Sequence, residues 1–169
     1  MSYQTLIVAK KENYAVITFN RPDKFNAANA QLFADLAAAI RELDADKEVG
    51  CIVLTGQEFT HPKRGTPYHV FSAGADVEQF AHLAKVEAGY DFIKVCFEPF
   101  KAIENAETPV VAAVNGSAFG FGFEIQGPVA GRTDESGGGG ADALDRFRAE
   151  RNLFDEDTRS QILRHNRSP

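Results

Sequence analysis

The chain has 169 residues, 44% hydrophobic and 25% charged, the balance of one soluble globular domain rather than a disordered or fibrous chain. Its formal net charge of −6 excludes a broad basic face for non-specific nucleic-acid binding. No apolar run nears the ~20 residues needed to cross a bilayer, and the N-terminal stretch carries no signal-peptide core; a cytoplasmic protein is expected, with a mitochondrial location left open.

Residues 5–9 and 15–19 read as two strands, with Lys10-Lys11-Glu12-Asn13 as the polar turn of a hairpin. Pro22 cannot extend a ladder, so Asn20-Arg21-Pro22-Asp23 ends the second strand. Over residues 28–43, Leu32, Leu36, Ile40 and Leu43 fall on one helical face. Residues 51–55 form a short apolar run, the mark of a strand buried on both sides. A polar loop with Pro62, Gly65 and Pro67 follows over residues 56–70. Ile93, Phe97, Phe100 and Ile103 then mark a second helix, ending before Pro109. Residues 110–114 are another buried strand, and Asn115-Gly116 turns out of it. Strands alternating with helices imply an α/β fold, an open sheet with crossover helices. Cys51 and Cys96, far apart and each in an apolar stretch, read as buried reduced thiols.

After Gln126 the character changes. Gly127-Pro128 interrupts any helix beginning near Gly122. Residues 137–140 are all glycine, and residues 141–164 are rich in Asp, Glu and Arg, with Leu144, Phe147 and Phe154 at near-helical spacing. The division expected is a core over residues 1–126 and, over 127–169, a glycine-rich linker with a charged tail, flexible or helical. Such a tail has little to bury and is expected to pack loosely.

Three segments place small residues where backbone must approach something closely. They are Asn20 to Ala28, Phe71-Ser72-Ala73-Gly74-Ala75-Asp76-Val77, and Asn115-Gly116-Ser117-Ala118-Phe119-Gly120-Phe121-Gly122-Phe123-Glu124. A helix start offers unpaired N–H groups to a negative oxygen, and two such turns facing each other would form an oxyanion hole from backbone alone. Taken singly each has an ordinary reading: Asp76 as a cap of the following turn, Glu124 as a first-turn carboxylate, Lys24 as a solvated lysine. Gly120-x-Gly122 lacks the third glycine of a dinucleotide fingerprint. His61, His69, His82 and His165 show no metal-ligand spacing, so no metal is expected.

Together, in this order and spacing, the segments resemble the enoyl-CoA hydratase/isomerase (crotonase) family over roughly Tyr3 to Ile125. The resemblance implies a spiral of ββα units, incomplete here, and an enzyme that holds a thioester enolate. It implies a coenzyme A thioester as substrate, with no tightly bound cofactor. Carried over by position, Ala75 and Phe121 supply the oxyanion N–H groups and Glu124 is one of the two acidic residues that hydratases use. Lys24, with Arg21 nearby, falls beside the CoA phosphates. Asn26, Ala27, Ala73, Gly74, Asp76 and Gly120 line the substrate path. Family members usually form trimers or pairs of trimers, an assembly that the tail puts in doubt.

The family pattern stops near Ile125. The Ala-rich helix ending in Cys-Asp and the later Pro-Glu segment with the second glutamate are not found, as though the chain were truncated or altered there. Two functions are therefore expected in competition: an enoyl-CoA hydratase or isomerase, or a catalytically silent family member that binds CoA weakly or serves as an interaction partner.

Overall fold

The computed structural model describes residues 2–60, 65–82 and 86–134. Strands β1 (Leu6–Lys10) and β2 (Ala15–Phe19) form the expected antiparallel hairpin, with Leu6 opposite Phe19. Alternation along β2 sends Ala15, Ile17 and Phe19 into the core. Helix α1 (Ala30–Asp44) starts where Asn29 accepts the Leu32 N–H at 2.9 Å, and its Leu32, Leu36, Ile40 and Leu43 are all buried. Asp35, buried on the same helix, accepts the N–H and the hydroxyl of Thr5 at 3.0 and 2.8 Å, fixing α1 to the start of β1.

Strands β3 (Ile52–Gly56) and β7 (Val110–Val114) are the two continuous apolar runs. They extend the sheet in parallel from β2, with Ile17, Leu54 and Ala112 in register. Buried side chains on both faces account for their lack of alternation. Ile52, Leu54 and Ala112 join the main core with α1, whereas Cys51, Val53, Val111 and Ala113 cluster with Tyr14 on the other face. Burial pushes the Cys51 thiol up to about 12, so it stays protonated and inert.

Helix α2 (Val86–Asn105) differs from expectation in the face it buries. Phe100 and Ile103 pack inward with Phe92, Val95 and Cys96, while Ile93 and Phe97 are 53% and 55% exposed. The helix holds more apolar residues than one face accommodates, and packing against α1 selects the register through Phe92 and Val95.

The region read as a polar loop contains a small ladder, β4 (Phe59–Thr60) against β5 (Pro67–Tyr68). Next, β6 (Val70–Ser72) pairs in parallel with β8 (Ser117–Ala118), separate from the main sheet. Two- and three-residue strands have too few positions to show a period. Helix α3 (Phe121–Glu124) is a single turn that stops short of Gly127-Pro128.

The packed chain also runs past residue 126. Val129 packs against the core, the Ala130 N–H donates to the Val110 carbonyl, and β9 (Gly131–Asp134) pairs in parallel with β7. The sheet order is β1-β2-β3-β7-β9, so β7 is paired on both sides. Gly-Arg-Thr-Asp has no apolar run, which is why the strand is not visible in sequence. The four-glycine run and the expected helix over 141–164 lie outside the described residues. Among the described residues, no helix is long and apolar enough to cross a membrane.

Buried Asn115 ties the ends of β3 and β7. Its Nδ2 donates to the Gly56 carbonyl at 2.7 Å and its Oδ1 accepts the Gly56 N–H at 3.1 Å. Asn115→Ala leaves both Gly56 groups buried and unpaired, so denaturant unfolding should show a loss of about 2–3 kcal/mol. A loss under about 0.5 kcal/mol would mean that these bonds are not needed to join the strands.

Candidate functional site

The three small-residue segments meet at the carboxyl ends of β2, β3 and β7, the edge where parallel sheets of α/β proteins hold ligands. The first leaves β2 through a 3-10 turn at Pro22–Lys24, then places Phe25 and Asn26 at φ of 53° and 55°. Two successive left-handed residues that are not glycine need support. Asn26 supplies it: its Nδ2 donates to the Val70 carbonyl at 2.8 Å and the Gln57 carbonyl at 3.1 Å. Its Oδ1 accepts the Arg21 N–H at 3.1 Å, and its backbone carbonyl accepts the Ser72 hydroxyl at 2.8 Å. Buried Asn26 therefore acts as a framework residue.

The first and second segments join at a parallel bridge between Ala28 and Ala75. The Ala28 N–H donates to the Gly74 carbonyl at 2.7 Å, and the Asp76 N–H donates to the Ala28 carbonyl at 2.8 Å. In a parallel bridge these two bonds flank the middle residue, so the N–H of Ala75 itself points to the opposite edge. The second segment also touches the third. The Phe119 N–H donates to the Ser72 carbonyl at 3.0 Å, and a methyl group added at Gly74 would lie 3.0 Å from the Phe119 carbonyl oxygen and 3.7 Å from Gly120 Cα. At Gly122 an added methyl would fall 2.6 Å from the Ser72 carbonyl oxygen. The glycines are what allow the two turns to touch.

Phe121 turns its ring into the core, with centroids 4.9 Å from Phe33, 5.8 Å from Phe100 and 6.4 Å from Phe19. The ring anchors the turn to the core. Among the described residues, neither the Ala75 N–H nor the Phe121 N–H donates to any acceptor. Glu124 stands exposed at the end of α3, its carboxylate without a hydrogen bond or ion pair among the described residues. Ala27 and Gly74 are buried in the joined turns; Ala73 and Gly120 are exposed.

The charged residues of the first two turns are paired with one another. Lys24 is partly exposed and donates to Glu78 at 2.8 Å, a contact that holds its ammonium above the ordinary lysine range. Arg21 is engaged inward: its Nη1 donates to Asp76 at 2.9 Å and to the Ala27 carbonyl at 2.5 Å. Asp76 is 5% exposed and also takes the Glu78 N–H at 3.2 Å, the turn-capping role. Sequence reasoning missed the Arg21–Asp76 pair, the amide hub at Asn26 and the anchoring ring of Phe121. The first joins positions 55 residues apart, which one sequence cannot pair.

A cleft of about 460 Å³ opens at the other end of the sheet, lined by Asp44, Asp46, Lys47, Val49 and Glu107 among others. It contains none of the three segments. Its Asp44 accepts the Thr108 N–H and its Asp46 pairs with Lys10, so these carboxylates already have structural work. Among the described residues there is no group of three or more His, Cys, Asp or Glu side chains able to hold a metal.

The class defined by this sheet and these turns agrees with the comparisons. A family profile described as enoyl-CoA hydratase/isomerase matches residues 9–127, and the chain belongs to that family. A Rhizobium meliloti (strain 1021) protein named "Probable enoyl-CoA hydratase" is 40% identical over 127 residues, 74% of this chain and 44% of that protein. The short-chain-enoyl-CoA hydratase of Clostridium acetobutylicum is 34% identical over 125 residues, again 74% of this chain and 44% of the relative. Pseudomonas aeruginosa DspI superposes with a TM-score of 0.66 at 29% identity, over 78% of this chain and 46% of that one. The fold is the crotonase-type α/β fold, and the chain spans about half the length of the relatives it matches.

Gly74 tests the contact between the second and third turns. It sits at φ 98°, a conformation that alanine adopts only with strain, and its missing side chain admits Phe119. Gly74→Ala should lower unfolding stability by about 1–3 kcal/mol in a urea titration. Unchanged stability would show that the turns part at no cost.

Proposed function

We propose that this chain binds an acyl-CoA thioester and stabilises the enolate formed at the thioester carbonyl, as an enoyl-CoA hydratase or Δ-isomerase. The observation that carries this reading is the pair of N–H groups, Ala75 and Phe121, unclaimed on two turns in contact through Gly74 and Gly120. An oxygen drawn between them would gain negative charge as the enolate forms, and fixed N–H donors stabilise that charge without reorganising. Lys24 lies on the first turn, available to CoA phosphates once exchanged from Glu78. Asn26, Ala27, Ala73, Gly74, Asp76 and Gly120 shape the path through their backbone. Coenzyme A enters as part of the substrate, in the cytoplasm.

Glu124 is the base. It removes the Cα proton of a 3-enoyl thioester, the electrons pass to the thioester oxygen, and reprotonation at Cγ gives the conjugated 2-enoyl product. One carboxylate suffices for this shift, whereas adding water across a double bond needs a second acid–base group. The exposure of Glu124 favours a second reading, a silent chain that binds CoA weakly or pairs with a partner.

Turnover of crotonyl-CoA and of a 3-enoyl-CoA by the pure chain separates the two. Glu124→Gln should reduce turnover by about 10²–10⁴-fold while CoA-thioester affinity stays nearly constant. Equal turnover by both proteins assigns the proton to another group, and no turnover with CoA retained supports the silent reading.

Glu78→Gln removes the competing carboxylate from Lys24, so a CoA thioester should bind about two- to threefold more tightly at low salt, with the gain fading as salt rises. Calorimetric titration at two ionic strengths measures it; equal affinities would place the phosphates away from Lys24.

A further inference from the structure

We propose that Arg21 is a positioning residue: one guanidinium nitrogen clamps both sides of the Ala28–Ala75 bridge and so aims the Ala75 N–H. This rests on the reading of that N–H as a donor to the thioester oxygen. Ala27, whose carbonyl accepts Nη1 at 2.5 Å, precedes the bridge on one side; Asp76, whose carboxylate accepts it at 2.9 Å, follows the bridge on the other. Between them run the two hydrogen bonds, of 2.7 and 2.8 Å, that flank Ala75 and turn its N–H outward. The Gly74 carbonyl shares a peptide plane with the Ala75 N–H, so its bond to the Ala28 N–H turns the Ala75 N–H the opposite way.

The clamp is anchored at its root. The Arg21 N–H donates to Asn26 Oδ1 at 3.1 Å, and the Arg21 carbonyl accepts the Asn26 N–H at 2.9 Å. The two charged side chains are only 16% and 6% exposed, so water screens the pair weakly. A charge-assisted bond in that setting holds its geometry tightly. Lys24 cannot stand in, because its ammonium is held by Glu78 at 2.8 Å on the outer surface of the same turn. Donors to an oxyanion lose effect steeply when displaced, so a residue that never touches the substrate can still control its activation.

The probe is 4-(dimethylamino)cinnamoyl-CoA, a chromophoric enoyl thioester whose absorbance moves to the red when its carbonyl accepts hydrogen bonds. Wild-type protein should bind it with a red shift. Arg21→Met should lose most of that shift while affinity changes by less than about threefold, since contacts to the rest of the probe are untouched. Arg21→Met strands a buried carboxylate and can fail to fold, so the double variant R21M/D76N, which leaves no charge unpaired, decides in that case and should show the same loss. A full red shift in either folded variant overturns the proposal. So does an affinity that falls in step with the shift, the mark of a merely structural residue. A wild-type chain that does not bind the probe, or binds it without a red shift, overturns the oxyanion reading itself and the clamp with it.

Discussion

Asn26 lies in left-handed backbone, is wholly buried, and gives its side-chain amide to partners from three places in the chain: Arg21, Gln57 and Val70. Asparagine meets these demands together. It tolerates positive φ better than most residues, and its amide offers two donors beside an acceptor. Aspartate would lack the donors and bury a charge. From this amide the order of the neighbouring turns follows. Ser72 is held by the Asn26 carbonyl, Ala73 by the Phe25 carbonyl, and Phe119 by the Ser72 carbonyl. The second and third turns thus inherit their positions from the first.

The site divides its labour between backbone and side chains. In the proposed site backbone N–H groups would meet the substrate, while buried Asn26 and Asp76 and the core-packed ring of Phe121 hold the turns. Such a division keeps the donors in place without a side chain that must be ordered on binding. In the proposed mechanism Glu124 moves the proton, because it is the carboxylate that the matched motif supplies. The chain spans about half the length of its relatives, and in the proposed reading the oxyanion donors lie in its described turns while Glu124 is the one carboxylate assigned to proton transfer.

Long elements were legible in the sequence because each carries many repeats of one period. The buried face of α1 and the apolar runs of β3 and β7 could be read directly. Short ones were not: β4, β5, β6 and β8 are set by tertiary contacts, and β9 has no hydrophobic pattern. In α2 the pattern held two candidate faces, and packing chose between them. The turns were legible as motifs, since glycine and proline leave strong local signs. What those signs did not give was direction. Arg21 reads as a surface cation beside a phosphate site, yet it faces inward because Asp76, distant in sequence, is buried next to it. The outward aim of the Ala75 N–H depends on a bridge that no local rule predicts.

The bond between Gly56 and Asn115 closes a loop of 59 residues, and the Asn26–Val70 bond one of 44. Contacts so far apart bear their closure entropy before they return any stabilisation, which makes parallel sheets of this kind slow to fold. During synthesis the hairpin and α1 can collapse early, but the three turns cannot meet until the segment through Phe121 has emerged and β7 has docked. The junction of the three turns therefore depends on contacts between distant parts of the chain, which form late. Any ligand that bridged the three turns would stabilise them together and so lengthen the lifetime of the folded chain.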